Sequence, residues 1–378
     1  MSDSRFVPEK EACHPMEIRS DESRGNLIGA DHADARRDIS QPRDADLLTV
    51  AAIRVSVIIP TLNEEKMIGK CLESLAGSCY PLDAFEVILV DNGSTDCTLE
   101  IAQSFSTRLR LTILQQPGVN ISTLRNLGAN VAQGRLLAFL DADCSIPKDW
   151  FENAASNLAS DSAGVIGGNI TIPEDSGWVA RTWFQEAYAP VDGEVAYVPS
   201  GNMLMKKSTF TQIGGFNETI NTSEDCELCS RARGEGFSVR EIRALTVIHW
   251  RTPQTLKEFY RREAWHGEHV AKVFFQNIRS LTNFRAVAFA TYILICCLIA
   301  IIGGLLAVLY RQYALLGLAA CGALVGSFFC SVHRLRCVHG KIFWLNLAPL
   351  TLLYFTWGLA RARSLMSFRV LHPRSPKP

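Results

Sequence analysis

The sequence predicts an α/β fold, a largely parallel sheet covered on both faces, followed by C-terminal transmembrane helices. Three observations carry that expectation. Between residues 55 and 250, short unbroken apolar runs alternate with helical stretches. Each of the first runs ends in a cluster of polar turn residues. After residue 285, charge disappears for three long apolar stretches. Strands that are apolar on both faces and joined by single helices belong to parallel sheets with helices on either side.

Composition narrows the class further. The 378 residues are 48% hydrophobic and 20% charged, which excludes a disordered chain and leaves ample material for a core. The formal net charge is zero, but the charges are unevenly placed. Residues 1–50 carry 11 acidic and 7 basic side chains, whereas no Asp or Glu follows Glu268 and twelve Lys/Arg do. The twelve cysteines are too dilute for a disulfide scaffold, and several sit in apolar runs. Cys226 and Cys229 form a lone CxxC with no second pair nearby, which argues against a zinc site.

Residues 1–50 lack apolar periodicity and are expected to be a disordered tail that stays in the cytosol, with no signal pattern. Val55 to Ile59 is β-branched and ends at Pro60; Asn63 is placed to cap a helix over 64–76. Glu86 to Val90 repeats the strand pattern and runs into Asn92-Gly93-Ser94-Thr95-Asp96 and a second helix. A third strand is expected near 110–115, a helix over 120–132, and a fourth strand at Leu136 to Leu140. The α/β domain spans 51–250.

Residues 251–285 are expected to form an amphipathic, basic juxtamembrane helix whose stretch Lys257 to Arg262 meets anionic lipid headgroups. Residues 286–309 are 24 in number and uncharged, enough for about 36 Å of helix. Residues 313–332 form a second uncharged run. Residues 342–360 form a third, interrupted by Asn346 and Pro349, and can be read as transmembrane or re-entrant. A basic tail, 361–378, closes the chain. Basic residues before the first span and at 333–341 place the α/β domain in the cytosol, on a multi-pass protein of the inner or plasma membrane. Three full crossings would put the basic tail on the wrong side, so the third segment stays open.

Asp141-Ala142-Asp143 follows the strand LLAFL directly. In extended chain, residues i and i+2 point the same way, so both carboxylates are expected to emerge at the carboxyl edge of the sheet. Two acids at one exposed point suit a hard divalent cation that also holds a diphosphate. The bland alternative is a solvated turn. Asp91 with Asn92 and Gly93, and Pro60-Thr61-Leu62-Asn63-Glu64, occupy two more strand-to-helix turns on the same edge; each also reads as a plain turn. Together the three describe a nucleotide pocket.

Glu224-Asp225 opens the segment SEDCELCSRARGEG, where acids in a first helical turn serve as caps or, functionally, as a general base. His249 closes the run LTVIH and is read as a structural histidine, a third metal ligand or a diphosphate contact. No GxGxxG or Walker loop occurs, and no motif favours nucleic acid.

These pieces resemble the family 2 glycosyltransferases with the GT-A nucleotide-diphospho-sugar transferase fold. The matching stretches, in order, are VSVIIPTLNEE (55–65), VILVDNGSTD (87–96), LRNLGANVAQGRLLAFLDAD (124–143), VPSGNMLMKKSTFTQIGGFNE (198–218) and SEDCELCSRARGEGF (223–237). The resemblance implies that Pro60, Thr61, Asn63, Glu64, Asp91, Asn92, Gly93, Arg125, Asp141 and Asp143 bind the nucleotide sugar. It implies Mg²⁺ or Mn²⁺ at Asp143 and Asp141, with His249 as a candidate ligand, and a catalytic base at Asp225 with Glu224 beside it. Asn92 departs from the Asp often found there. The QxxRW motif of processive synthases is absent from FYRREAWHG (259–267), which favours one sugar per encounter.

The implied activity is inverting hexosyl transfer from a nucleotide-sugar donor, a UDP-sugar by family weight, to a lipid-linked or glycan acceptor at the membrane. The C-terminal helices resemble those of bacterial enzymes of exopolysaccharide or envelope-glycan synthesis. The alternative is a catalytically silent membrane subunit that binds sugar nucleotide or scaffolds a synthase. A nucleotidyltransferase is disfavoured because PTLNEE is not its Gly- and Arg/Lys-rich opening loop, and the uncharged spans disfavour a transporter.

Overall fold

The computed structural model describes residues 54–159, 164–185, 192–220, 222–267, 281–310, 313–339 and 344–366. The N-terminal tail, residues 268–280 of the juxtamembrane stretch and the last part of the basic tail lie outside the described residues.

Four parallel strands start the sheet: β1 (Val55–Thr61), β2 (Phe85–Asp91), β3 (Leu111–Gln115) and β4 (Leu136–Leu140), in the order β3-β2-β1-β4. Every residue of β1 and β2 is buried, and Ser56 and Glu86, which interrupt the apolar runs, satisfy each other through the Ser56 hydroxyl at 2.6 Å. Successive residues serve opposite faces. Val57, Ile59, Val87 and Leu89 pack with α1 (Ile68–Ala76), through Ile68, Leu72 and Leu75. Ile58, Ile88 and Val90 pack with α3 (Ile121–Val131), through Leu124 and Ala129. A short α2 (Thr98–Gln103) lies between β2 and β3.

Beyond β4 the sheet is mixed. After β5 (Cys144–Ser145), α4 (Trp150–Asn157), β6 (Val165–Gly167), β7 (Ile170–Thr171), a helical turn α5 (Trp178–Ala180) that continues as a π-turn over Arg181–Gln185, and β8 (Gly193–Glu194), strand β9 (Asn202–Lys206) inserts antiparallel between β4 and β6. Then follow α6 (Lys207–Ile213), α7 (Glu224–Gly234), β10 (Val239–Glu241) and β11 (Val247–His249). The full order is β3-β2-β1-β4-β9-β6-β10-β8. A small second sheet has the order β5-β11-β7 and pairs His249 with Cys144.

Three long helices end the described chain: Leu281–Tyr310, Ala314–His339 and Trp344–Met366. Among the described residues, two helices are long and apolar enough to cross a membrane, over Val287–Leu306 and Gly317–Arg336. Their outer faces carry exposed Ile301, Leu305, Leu324 and Phe329. The first begins at Leu281, five residues before the expected 286. The third helix contains Pro349 and buries Leu347, Leu350, Leu353 and Tyr354 against Val179, Trp183 and Phe259. It packs on α8 (Leu256–Gly267), the described part of the expected juxtamembrane helix.

Two buried arginines fasten these helices, one to the α/β domain and one to α8. Arg334 donates to the Trp183 carbonyl at 3.1 Å, with its guanidinium 4.5 Å from the Trp183 ring centre. Arg361, on the third helix, pairs with Glu263 of α8 at 3.0 Å.

Candidate active site at the carboxyl edge of the sheet

The β1–α1 turn and the β2–α2 turn are laced together. Asn63 accepts from the Thr95 amide at 2.9 Å, and the Ser94 hydroxyl accepts from the Asn63 amide at 2.9 Å. The Glu64 amide donates to the Thr98 hydroxyl at 2.7 Å, and the Glu65 amide to Asp96 at 3.2 Å. Asn63 therefore does not cap a helix over 64–76. It takes φ 54°, and the helix begins at Ile68 after Met67, without a side-chain cap. Pro60 and Thr61 lie within β1 and are buried, Thr61 paired in register with Asp91.

Asp91 is also buried. Its carboxylate accepts from the amides of Gly93 and Ser94, each at 2.9 Å, and from the Ser94 hydroxyl. Asn92 spends its amide on the loop before α3: it donates to the Val119 carbonyl at 3.0 Å and accepts from the Val119 amide at 3.2 Å. These residues shape the rim of the site through the backbone of its turns.

Strand β4 stops at Leu140, so the extended-chain geometry expected for Asp141 and Asp143 does not hold. The Cys144 amide donates back to the Asp141 carbonyl at 3.0 Å, closing a turn that sends the two carboxylates to different partners. Asp143 faces His249, Oδ2 to Nε2 at 3.4 Å, because β11 pairs beside β5. Asp141 faces Arg125, which donates from Nη2 at 2.9 Å.

Arg125 is the centre of the arrangement. Its side chain is 1% exposed, and its other nitrogen donates to Glu224 at 2.8 Å. Burial works against its charge, yet Asp141 and Glu224 together hold it above the usual arginine value. The expected nucleotide-binding arginine is thus enclosed between an acid at the end of β4 and an acid at the start of α7. Glu224 also accepts from the Ser200 hydroxyl at 2.9 Å. Asp225 is half-buried in the same first turn and accepts from the Cys226 amide at 2.8 Å.

Electrostatically the site is short of positive charge. Burial, resisted by Arg251 and reinforced by Asp143, Asp141 and Asp96, pushes Glu64 from 4.5 up to about 7. Burial likewise raises Asp143, with His249 opposing, and lowers His249, with Asp143 opposing. Glu64 Oε2 and His249 Nδ1 are buried without a hydrogen-bond partner. Asp143, Cys144 and His249 bring potential ligand atoms within 4.8 Å of one another, but burial pushes the Cys144 thiol far above its ordinary range. A carboxylate and a neutral imidazole beside further acids fit a hard divalent cation better than a thiolate metal.

Sequence reasoning missed Ser200, Gly201 and Arg251. Arg251 donates to Glu64 at 2.6 Å across the mouth of the site, and its neighbour Trp250 donates from its amide to the Asp143 carbonyl at 2.8 Å. Their only signal was adjacency to matched stretches: Ser200-Gly201 inside VPSGNM and Arg251 two residues after His249.

Residues 56–214 match the family described as Glycosyl transferase family 2, and residues 136–357 match Glycosyl transferase family group 2. The second match covers more than half of the chain and runs through the site into the C-terminal helices. The chain belongs to glycosyltransferase family 2. Among curated relatives, the glycosyltransferase AglE of Haloferax volcanii is 32% identical over 219 residues, 55% of this chain and 71% of the relative. The pre-mycofactocin glycosyltransferase of Mycobacterium tuberculosis is 26% identical over 226 residues, 56% of this chain but only 46% of the relative. The solved structure of the mannosyltransferase PcManGT from Pyrobaculum calidifontis, in complex with GDP-Man and Mn²⁺, aligns with a TM-score of 0.54 at 19% identity. That alignment covers 88% of this chain and 92% of PcManGT, and it shows the GT-A fold. As a family 2 glycosyltransferase, the chain brings acids from two of its matched stretches, Asp141 and Glu224, to Arg125.

Proposed function

We propose that this glycosyltransferase is a metal-dependent, inverting hexosyltransferase. It moves a sugar from a nucleotide-diphosphate donor, a UDP-sugar by family weight, to a lipid-linked or glycan acceptor at the inner or plasma membrane, in polysaccharide or envelope-glycan synthesis. The observation that carries the reading is the Arg125 bridge, which brings the acids at the end of β4 and at the start of α7 to one edge of the sheet. Ligands of α/β folds bind at that edge.

The turn residues Asn63, Glu64, Asp91 and Asn92 shape the nucleoside side. Asp143 and His249, with Asp141 nearby, are the residues that would hold Mg²⁺ or Mn²⁺. Such an ion supplies Lewis-acid compensation for the charge that builds on the leaving diphosphate. The Asp225 carboxylate takes the proton from the attacking hydroxyl. Inversion follows from a single in-line attack, as family membership implies. The two apolar helices support a membrane anchor, and the docked third helix and α8 support an acceptor reached along the bilayer surface.

The test compares membranes containing wild type or Asp225→Asn, supplied with labelled nucleotide sugars and Mn²⁺ or Mg²⁺. Label in the organic-extractable fraction with wild type and its loss by a factor of about 10²–10⁴ in the variant is the expected result. Equal label from both proteins across the donor panel would sink the reading.

A further inference from the structure

Strand β11 ends at His249, but its ladder of hydrogen bonds runs one step further: the Trp250 amide donates to the Asp143 carbonyl at 2.8 Å. The residues at this end divide between two sides. His249 faces Asp143 and Arg251 faces Glu64, both among the acids of the site. Trp250 turns the other way, as alternation along an extended chain gives. Its indole Nε1 donates to the Ser145 hydroxyl at 2.8 Å, and Lys70 Nζ lies 3.7 Å from its ring centre, a second hold on the ring.

Ser145 and Lys70 are themselves joined. The Ser145 hydroxyl donates to the Lys70 carbonyl at 3.3 Å, and the Ile146 amide donates to the Ser74 hydroxyl at 3.1 Å. Helix α1, strand β5 and the end of β11 therefore meet at one half-buried indole. Each of these pieces adjoins a group of the site: Glu64 precedes α1, Asp143 precedes β5 and His249 precedes Trp250. Strand β5 has two residues and β11 three, and their register rests on two pairs, Ile248 with Ser145 and His249 with Cys144. So short a ladder specifies its register weakly, and a slip of one residue would turn His249 away from Asp143. The indole bond adds a side-chain lock on that register.

We infer that Trp250 is a positioning residue for the metal-binding pair Asp143 and His249: its indole, seated by Ser145 and Lys70, holds the β5–β11 register that aims His249 at Asp143. The inference rests on the reading of Asp143 and His249 as ligands of Mg²⁺ or Mn²⁺. Two donors bind a cation tightly when both are already in place. A mis-aimed imidazole makes ion binding work against the entropy of ordering it. Trp250 acts through His249, so its loss should show in metal affinity before it shows in nucleotide binding without metal.

The experiment uses full-length protein in detergent, with UDP or GDP present, whichever wild type binds more tightly. Mn²⁺ binding is measured by calorimetry and by the EPR signal of free Mn²⁺ in wild type, Asp143→Ala, Trp250→Phe, Ser145→Ala and the Trp250→Phe/Ser145→Ala pair. Trp250→Phe keeps a ring beside Lys70 but loses the N–H, and Ser145→Ala removes its acceptor. Each should raise the Mn²⁺ Kd by about three- to tenfold, the worth of one hydrogen bond, and leave metal-free nucleotide binding within about twofold of wild type. The pair should bind no more weakly than the weaker single variant, since both changes remove the same bond. Trp150→Phe controls for stability alone. The Trp150 Nε1 donates to Asn202 at 3.2 Å in the core, so this change should lower Tm without moving the Mn²⁺ Kd. Should Trp250→Phe fail to fold, Ser145→Ala carries the test. Kd values within about twofold of wild type in the folded variants, while Asp143→Ala loses the ion, overturn the positioning role. So does an equal rise in Trp150→Phe, because affinity would then follow stability. Equal Mn²⁺ affinity in wild type and Asp143→Ala overturns the metal reading itself, and the inference with it.

Discussion

Removing Glu263 should loosen the join between α8 and the third C-terminal helix. Its carboxylate meets Arg361 at 3.0 Å, with side-chain exposures of 9% and 6%. Arg361 also lies 5.3 Å from the Trp357 ring centre, in surroundings that are largely apolar. Glu263→Ala leaves the guanidinium buried with its carboxylate gone, and breaking a buried pair from one side costs about 3–5 kcal/mol. Replacing both members by Met removes the stranded charge and should return most of that loss. The pair joins α8 to the third helix, so the cost should appear as local opening of α8 before global unfolding. Hydrogen exchange of the α8 amides, followed by mass spectrometry in detergent, reads it directly. A loss of 3–5 kcal/mol corresponds to protection falling by about 140-fold to about 4,000-fold, at tenfold per 1.4 kcal/mol. Protection in Glu263→Ala within about threefold of wild type, or equal loss in the single and double variants, would refute the reasoning.

Three further outcomes follow from the site and the core. Asp143→Ala should weaken UDP or GDP binding in the presence of Mn²⁺ and leave metal-free binding unchanged; equal affinities in calorimetry would remove Asp143 from the ligand set. Glu64 holds its proton in the folded chain up to about 7 but loses it near 4.5 when unfolded, so metal-free stability should decline as pH rises through that window. Glu64→Gln should flatten the decline, and identical slopes of Tm against pH for the two proteins in EDTA would contradict it. Gly128 of α3 faces β1, where a Cβ would lie 2.4 Å from Ile58 Cγ2. Gly128→Ala should therefore destabilise by about 1–3 kcal/mol through overpacking, measured by denaturant unfolding, and an unchanged midpoint would show that Ile58 can move aside.

The strands β1, β2 and β4 were legible because each is a predominantly apolar run, as a doubly covered sheet requires. The antiparallel insertion of β9 was not, since NMLMK carries no sign of direction. The small sheet β5-β11-β7 escaped because two or three residues are too few to show a period. Asn63 was misread as a cap because its true partner, the Thr95 amide, is 32 residues away. The turn at Asp141 likewise defeated an inference that needed the strand to continue.

Taken alone, the sequence determined the fold class, the family, the strand ends that carry the acids and the positions of the two apolar helices. Those features follow from local pattern, which is a property of neighbours in the chain. Tertiary structure decided which acid meets Arg125 and Ser200, since Glu224 and Asp225 are adjacent and chemically alike. Arg125 distinguishes them from 99 residues away, and Ser200 from 24. It also decided that the third helix docks on α8, through the pairing of Arg361 with Glu263 across 98 residues. A buried charge takes its place from the partner that neutralises it, and chain order does not specify that partner.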